Sequence, residues 1–239
     1  MAVNDILELI TSRRSVTKYL PKPVEWEHIT RMMDAARHAP SCGNLQNWKF
    51  VVVTEPGKRK QIAEAALQQY WMVTAPVHVI VCADPEKAER YYGVRGERLY
   101  SVQNCSAAVM CIILEAQSLG LSTCWVGAFD EGMLKRIITA EEHIRPQAIV
   151  TVGYAAEHPP RPPKYPLNET IYFEHWRGRV KDAARYMHDY SLVWQRELQK
   201  GAEALKQLGG KLQEKLRGPP PAPETHPEEP AQPSGQKHP

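Results

Sequence analysis

Residues 99–119 read LYSVQNCSAAVMCIILEAQSL. Val102, Ala107, Ala108, Val109, Cys111, Ile112, Ile113 and Leu114 cover much of a helical circumference rather than one stripe, so this helix is predicted to lie in the centre of the molecule. Gly120 supplies its left-handed stop. A short strand over residues 123–126 follows, and Asp130 is placed to cap a helix over residues 131–138.

Outward from this centre, two continuous apolar runs predict strands buried on both faces. One covers residues 50–54 and is turned by Pro56-Gly57; the other covers residues 77–82. A helix is predicted between them, over residues 58–69, and a last strand over residues 148–152, closed by Gly153. Towards the amino terminus, Ile6, Leu9 and Ile10 share one helical face. A second helix after Pro23 carries Ile29, Met32, Met33 and Ala36 as a buried stripe and ends at Pro40. Residues 86–97, with Tyr91, Tyr92 and Arg95, read as a polar surface loop. Helices outnumber the roughly four strands and no regular βαβ repeat occurs, so the fold class is α+β.

The chain has 239 residues, 43% hydrophobic and 24% charged, which suits a sizeable globular core. Its 20 prolines are uneven: five fall in residues 158–166, where they force an extended path, and eight in residues 218–239. That last stretch has no aromatic residue and no Val, Ile, Leu or Met, so disorder is expected there. Residues 181–217 place leucines amid alternating charges, as in an amphipathic helical extension. A net charge of +3 lacks the concentrated basic stripe of a nucleic-acid binder. The run over residues 76–83 is too short to span a membrane, and the acid at Asp5 does not suit a signal peptide. A cytoplasmic protein with reduced thiols at its 5 cysteines is expected.

Several common sites are absent. There is no GxGxxG, no GxxxxGK[ST], no GxSxG and no HExxH, so a Rossmann or P-loop nucleotide site, a serine-hydrolase elbow and a metal centre all lack support. Three features remain. Arg13-Arg14-Ser15 can grip a phosphate with two guanidinium forks and a hydroxyl, or can be a basic helix end that complements the dipole. Residues 39–46, APSCGNLQ, hold amides suited to the donors and acceptors of a heteroaromatic edge, or form an ordinary turn. Gly127 and Ala128 allow close approach of a ligand to backbone N–H groups, or simply make a tight strand-to-helix turn.

Taken in order, Arg13-Arg14-Ser15-Val16, Ala39-Pro40-Ser41, Gly43-Asn44-Leu45-Gln46, Trp48, Leu119-Gly120-Leu121, Cys124-Trp125, Phe129-Asp130, Arg145-Pro146, Val152-Gly153-Tyr154 and Lys164-Tyr165-Pro166-Leu167 resemble the nitroreductase family of flavin enzymes. The likeness spans residues 6–177. It implies a three-layer α/β/α fold with a central mixed, mostly antiparallel sheet, in an intertwined homodimer with FMN at the interface. It also implies a flavin-binding domain over residues 1–180, followed by the extension 181–217 and the tail 218–239.

By position, the resemblance implies that Arg13, Arg14 and Ser15 hold the FMN phosphate and ribityl end, with Lys164 adding charge. Pro40, Ser41, Cys42, Asn44 and Gln46 of the partner chain would line the ring, and Gly127 and Ala128 would present backbone donors near flavin N5. No catalytic side chain is assigned, because the flavin carries the chemistry: NADH or NADPH reduces it, and a small acceptor such as a nitroaromatic or quinone reoxidises it in a ping-pong cycle. Three positions depart from the family pattern. Thr17 stands where a basic residue is frequent, Asn47 where proline is common, and Asn104 where an acid is frequent. Alternative readings are specialised flavin chemistry on the same fold, of the dehalogenase or flavin-cleaving type, and a non-catalytic flavin-binding protein that docks a partner through its extension.

Overall fold

The computed structural model describes residues 6–179 together with 181, 185 and 206. The predicted helical extension and proline-rich tail otherwise lie outside the described residues. The chain divides into two compact units, Met1–Thr170 and Ile171–Pro239.

The first unit is built on strands with no polar face. Every residue of β2 (Val77–Ala83) is buried, as is most of β4 (Arg145–Gly153). These two strands occupy the middle of a four-stranded sheet, flanked by β1 (Trp48–Val53) and β3 (Ser122–Val126) in the order β1-β2-β4-β3. All ladder pairs are antiparallel, with Ile80 opposite both Val51 and Ile149, and Trp125 opposite Val150. Ser15 adds one isolated parallel bridge to Thr123 at the β3 edge, outside the four strands, which pair only antiparallel.

Strands buried on both faces require a helical layer on each side. On one side, α2 (Trp26–Arg37) and α5 (Ser101–Ser118) set Ile29, Met32, Val109 and Ile112 against Val79, Val81 and Val150. On the other, α3 (Pro56–Ala65) and α6 (Glu131–Ile137) set Ile62 and Leu134 against Ile80 and Ile149. Alternate residues of β2 thus serve different cores, which is the period-2 geometry of a strand acting in three dimensions. The remaining helices are α1 (Ile6–Ser12), α4 (Pro85–Arg95) and the short α7 (Leu167–Thr170).

The central helix behaves largely as predicted. Cys105, Ala108, Val109, Ile112, Ile113 and Ala116 are buried, and Gly120 has φ +73°. Val102 and Met110 are exposed, so its solvent side is apolar too. Asp130 caps α6, its carboxylate accepting from the Met133 N–H at 2.7 Å. The segment read as a polar loop over residues 86–97 is instead α4. Asp84 accepts from the Lys87 N–H at 3.2 Å and Pro85 occupies the first turn, a start signal that outweighs the low apolar content. Gly93, at φ +57°, kinks the helix before a π turn (Gly96–Tyr100) leads into α5. The helical run Pro85–Ser118 is long and apolar enough to cross a membrane by length and composition, but the apolar face of α5 is packed on the sheet and α2.

In the second unit, Phe173 and Gly178 are joined by a 3.0 Å backbone hydrogen bond, and Tyr172 meets Trp176 edge to face at 4.9 Å. Gly178 is required there, since a Cβ would lie 2.0 Å from the Phe173 carbonyl oxygen.

One buried titratable group sets an acid limit on stability. His78 on β2 is fully buried, and its Nε2–H donates to the Met72 carbonyl at 2.9 Å, leaving Nδ1 without a partner. Burial holds its pKa down at about 4 from an ordinary 6.5. The unfolded chain therefore takes up a proton near pH 6.5 that the folded protein refuses until about pH 4, and stability falls across that window as pH drops. The loss expected from this group is on the order of 3 kcal/mol. Urea unfolding at pH 7 and pH 4 should show a loss larger by about that amount in the parent protein than in His78→Leu.

Candidate active site

The first cluster forms where α1 ends and the chain runs beside β3. The Val16 N–H donates to the Thr123 carbonyl at 3.0 Å, and the Tyr19 hydroxyl pairs with Thr151 Oγ1 at 2.7 Å, so this segment is fixed to the sheet. Arg14 folds back on α1, its Nη1 donating to the carbonyls of Thr11, Ser12 and Arg13 at 2.9 Å each. Its Nε is buried without a partner. Burial lowers the Arg14 pKa, and the charges of Arg161 and then Arg13 lower it further. Among the described residues, no carboxylate forms an ion pair with Arg13, Arg14 or Arg161. The charges of Arg161 and Arg13 both act on Arg14, whose Nη1 is taken up by the end of α1, and guanidinium groups so placed could draw an anion.

Arg161 was not singled out in the sequence, although it shares the proline-rich segment with Lys164. Lys164 is exposed, and Arg161 is the residue of that segment whose charge reaches Arg14. Beside the cluster, burial raises the Cys124 thiol pKa, while a hydrogen bond from Ser15 and the charge of Arg13 act against the rise.

The second cluster lies at the far end of β3. The ladder stops at Val126 opposite Ile149, so the exposed Gly127 and Ala128 carry their N–H groups beyond it. The turn is held on its far side, where the Asp130 N–H donates to the Ala65 carbonyl at 2.8 Å. Gly127 lies four residues beyond Thr123, about 13 Å along the strand. A candidate anion site and a set of backbone donors therefore stand at two ends of one sheet edge.

The third cluster, residues 40–46, precedes β1 on the opposite edge. It is a tight turn: Gly43, Asn44 and Gln46 have φ of 50°, 54° and 49°. The Gln46 N–H donates to Ser41 Oγ at 3.0 Å, and Gln46 Nε2 to Asn44 Oδ1 at 3.1 Å. Pro40, Asn44 and Gln46 are exposed, Ser41 and Cys42 half-buried. Asn44 and Gln46 line a cavity of about 260 Å3 with Arg37 and His38. The Tyr92 hydroxyl of α4 sits over Gly43, where a Cβ would come within 2.4 Å of it.

Two of the departures from the family pattern meet beneath this loop. Asn104 Oδ1 accepts from the Cys42 N–H at 3.0 Å, and its Nδ2 donates to Asn47 Oδ1 at 2.7 Å. Asn47 Nδ2 in turn donates to the Asp84 carbonyl and to Ser101 Oγ, both at 2.9 Å. Both amides are buried, with Asn47 1% and Asn104 4% exposed. A carboxylate at position 104 would set an oxygen against Asn47 Oδ1, and a proline at 47 would have no amide to offer. The two residues are chemically matched, a pairing that spacing along the chain does not reveal.

The three clusters do not all converge within one chain. The loop is tied to Asn104 near the start of α5, whereas Ser12, next to Arg13, accepts from Gln117 near its end at 3.3 Å. Thirteen helical residues between those anchors span about 20 Å.

Known proteins share this architecture. The profile of the nitroreductase family matches residues 10–72 and 65–154. A Methanothermobacter thermautotrophicus protein, provisionally named NADH dehydrogenase/NAD(P)H nitroreductase, is 36% identical over 160 residues, which is 65% of this chain and 80% of the relative. A Bacillus subtilis FMN reductase, with NAD(P)H in its name, is 26% identical over 209 residues, covering 78% of this chain and 84% of the relative. A crystal structure from Bacteroides thetaiotaomicron, under the same provisional name as the archaeal relative, has a TM-score of 0.64 at 30% identity, over 72% of this chain and 99% of that one.

The asparagine pair can be tested in the protein without ligand. Asn104→Asp is expected to cost about 1–3 kcal/mol, the range for leaving a buried partner unsatisfied. Asn47→Ala should cost a similar amount, and the double variant should cost less than the two added together, because the residues touch. Denaturant unfolding of the four proteins measures this coupling.

Proposed function

The chain belongs to the nitroreductase family, and we propose that it is an FMN-dependent oxidoreductase that carries a hydride from NADH or NADPH to a small electron-poor acceptor, such as a nitroaromatic or quinone. One observation carries this reading: among the described residues the cations Arg13, Arg14 and Arg161 form no ion pair with a carboxylate, while the Gly127 and Ala128 N–H groups stand beyond the end of the β3 ladder. An elongated ligand with an anionic end and a polar ring fits that pair of features, and FMN has this form.

FMN, when bound, supplies the redox chemistry in two half-reactions, taking a hydride from the nicotinamide and passing two electrons to the acceptor at the same face. The chain's own part is binding and orientation. Arg13, Arg14, Arg161 and the Ser15 hydroxyl would hold the phosphate, with Lys164 adding charge from the same proline-rich segment as Arg161. The Gly127 and Ala128 N–H groups would direct donors at the ring, where fixed dipoles stabilise charge on its reduced form.

The loop over residues 40–46 would reach the ring from a second copy of the chain. Within one chain it lies at the opposite edge of the sheet, about 14 Å away across three strand spacings. Ile6, Leu7 and Ile10 on α1 and Val102 and Met110 on α5 are exposed and apolar, a surface suited to a self-complementary interface.

Purified protein is expected to take up FMN, to lose its flavin colour when NADH or NADPH is added without oxygen, and to recover it with a nitroaromatic or quinone. Protein that stays colourless with added FMN and oxidises neither nicotinamide would sink the reading. Arg13→Ala and Arg161→Ala should each weaken FMN binding roughly 10- to 150-fold, the equivalent of about 1.5–3 kcal/mol for a hydrogen bond to a charged group. Flavin fluorescence titration of the apoprotein measures the effect, and sedimentation should show a dimer.

A further inference from the structure

A cavity of about 670 Å3 opens where residues 19–24 turn into α2 and residues 73–77 lead into β2. Tyr19, which ties the Arg13 segment to the sheet, is part of its wall, but none of the residues proposed to hold the cofactor is. Its size falls in the range of small-molecule sites. The wall is mostly apolar, with Leu20, Val73 and Pro76, and it includes Trp26, which is 69% exposed at the first position of α2. A large aromatic side chain left open beside a cavity, with prolines around it, is a surface for a planar ring.

The charges in this wall are of one sign. Lys22 and Arg59 line the cavity and no carboxylate does. Among the described residues neither cation forms an ion pair, although the charge of Glu55 acts on Arg59 and that of Lys22 on Glu25. The Arg59 Nε donates to the Thr54 carbonyl at 3.2 Å, and its Nη1 to the carbonyls of Val73, at 2.7 Å, and Ala75. Lys22 Nζ stands 3.7 Å from the centre of the Tyr154 ring. The carboxylates nearby are turned to other donors. Glu55 caps α3 by accepting from the N–H groups of Gly57 and Lys58, and Glu25 accepts from the Tyr154 hydroxyl at 2.7 Å and lies 3.2 Å from His28 Nδ1. Burial also lowers the Arg59 pKa, and the charge of Glu55 only partly opposes the fall.

We propose that this cavity is a second ligand site, separate from the cofactor site, and that it takes a small aromatic carboxylate. The ring packs on Trp26 and the neighbouring apolar wall, and the carboxylate is drawn to Lys22 and Arg59. No covalent step is involved. Fixed cations with carbonyl and ring partners lose little on meeting an anion, which is the advantage of a preorganised site.

The test uses the full chain as purified, with 1-naphthoate as probe and 1-naphthalenemethanol as its neutral counterpart, in equilibrium dialysis followed by tryptophan fluorescence. One naphthoate per chain is expected to bind saturably and quench tryptophan emission, with the neutral alcohol at least tenfold weaker. Trp26→Ala and Lys22→Glu should each weaken naphthoate at least tenfold. Both side chains are exposed, so folding is retained, and circular dichroism checks this. Three results overturn the proposal: no saturable binding, as when another segment covers the cavity; equal binding of the alcohol; or binding that shifts the flavin absorbance and is unchanged in both variants, which places the probe on the flavin.

Discussion

β2 and β4 carry apolar side chains on both faces, and the burial of those faces governs the rest of the first unit. A strand with one polar face can meet water, but Val79 and Ile80 point in opposite directions and neither can. Each face needs a helical cover, so α2 and α5 take one side and α3 and α6 the other. The sheet then has two edges, β1 and β3, and the polar chemistry of the chain collects at those edges because the middle has no room for it.

The central helix sets the distances between these polar places. Its start is tied to the loop over residues 40–46 through Asn104, and its end to the Arg13 segment through Gln117 and Ser12. A rigid helix packed on a sheet cannot shorten, so the two groups stay about 20 Å apart in one chain. In the proposed dimer this separation becomes useful, because a second copy would bring its loop to the first copy's ring site. The apolar surface left on α1 and α5 is then an interface rather than a liability.

Much of this was legible along the chain because it rests on local pattern. Continuous β-branched runs marked β2 as buried on both faces and β1 as a strand, though β1 is an edge strand and only half-buried; the wrapped apolar helix marked α5, Asp130 the start of α6, and Gly120 the end of α5. The segment over residues 86–97 was misread as a loop because it is short of apolar residues and interrupted by Gly93. Its start signal, Asp84 followed by Pro85, was present but carries less weight than periodicity. The arginines after α1, the amide-rich loop and the Gly127-Ala128 turn are candidates that local pattern offers. Arg161 is not, since nothing local distinguishes it from Lys164 three residues on.

Local periodicity, caps and glycine stops were enough to determine most of the elements, their order and the α+β class, because each of those signals acts within a few residues. Only the tertiary structure decided which distant side chains meet. Asn47 and Asn104 lie 57 residues apart, and as separate letters each looks like a defect. Folded, they are a donor and an acceptor in one buried network. The charge of Arg161 likewise acts on Arg14 through packing alone, since hydrogen bonds and Coulomb forces act through space and the chain's numbering does not record that distance.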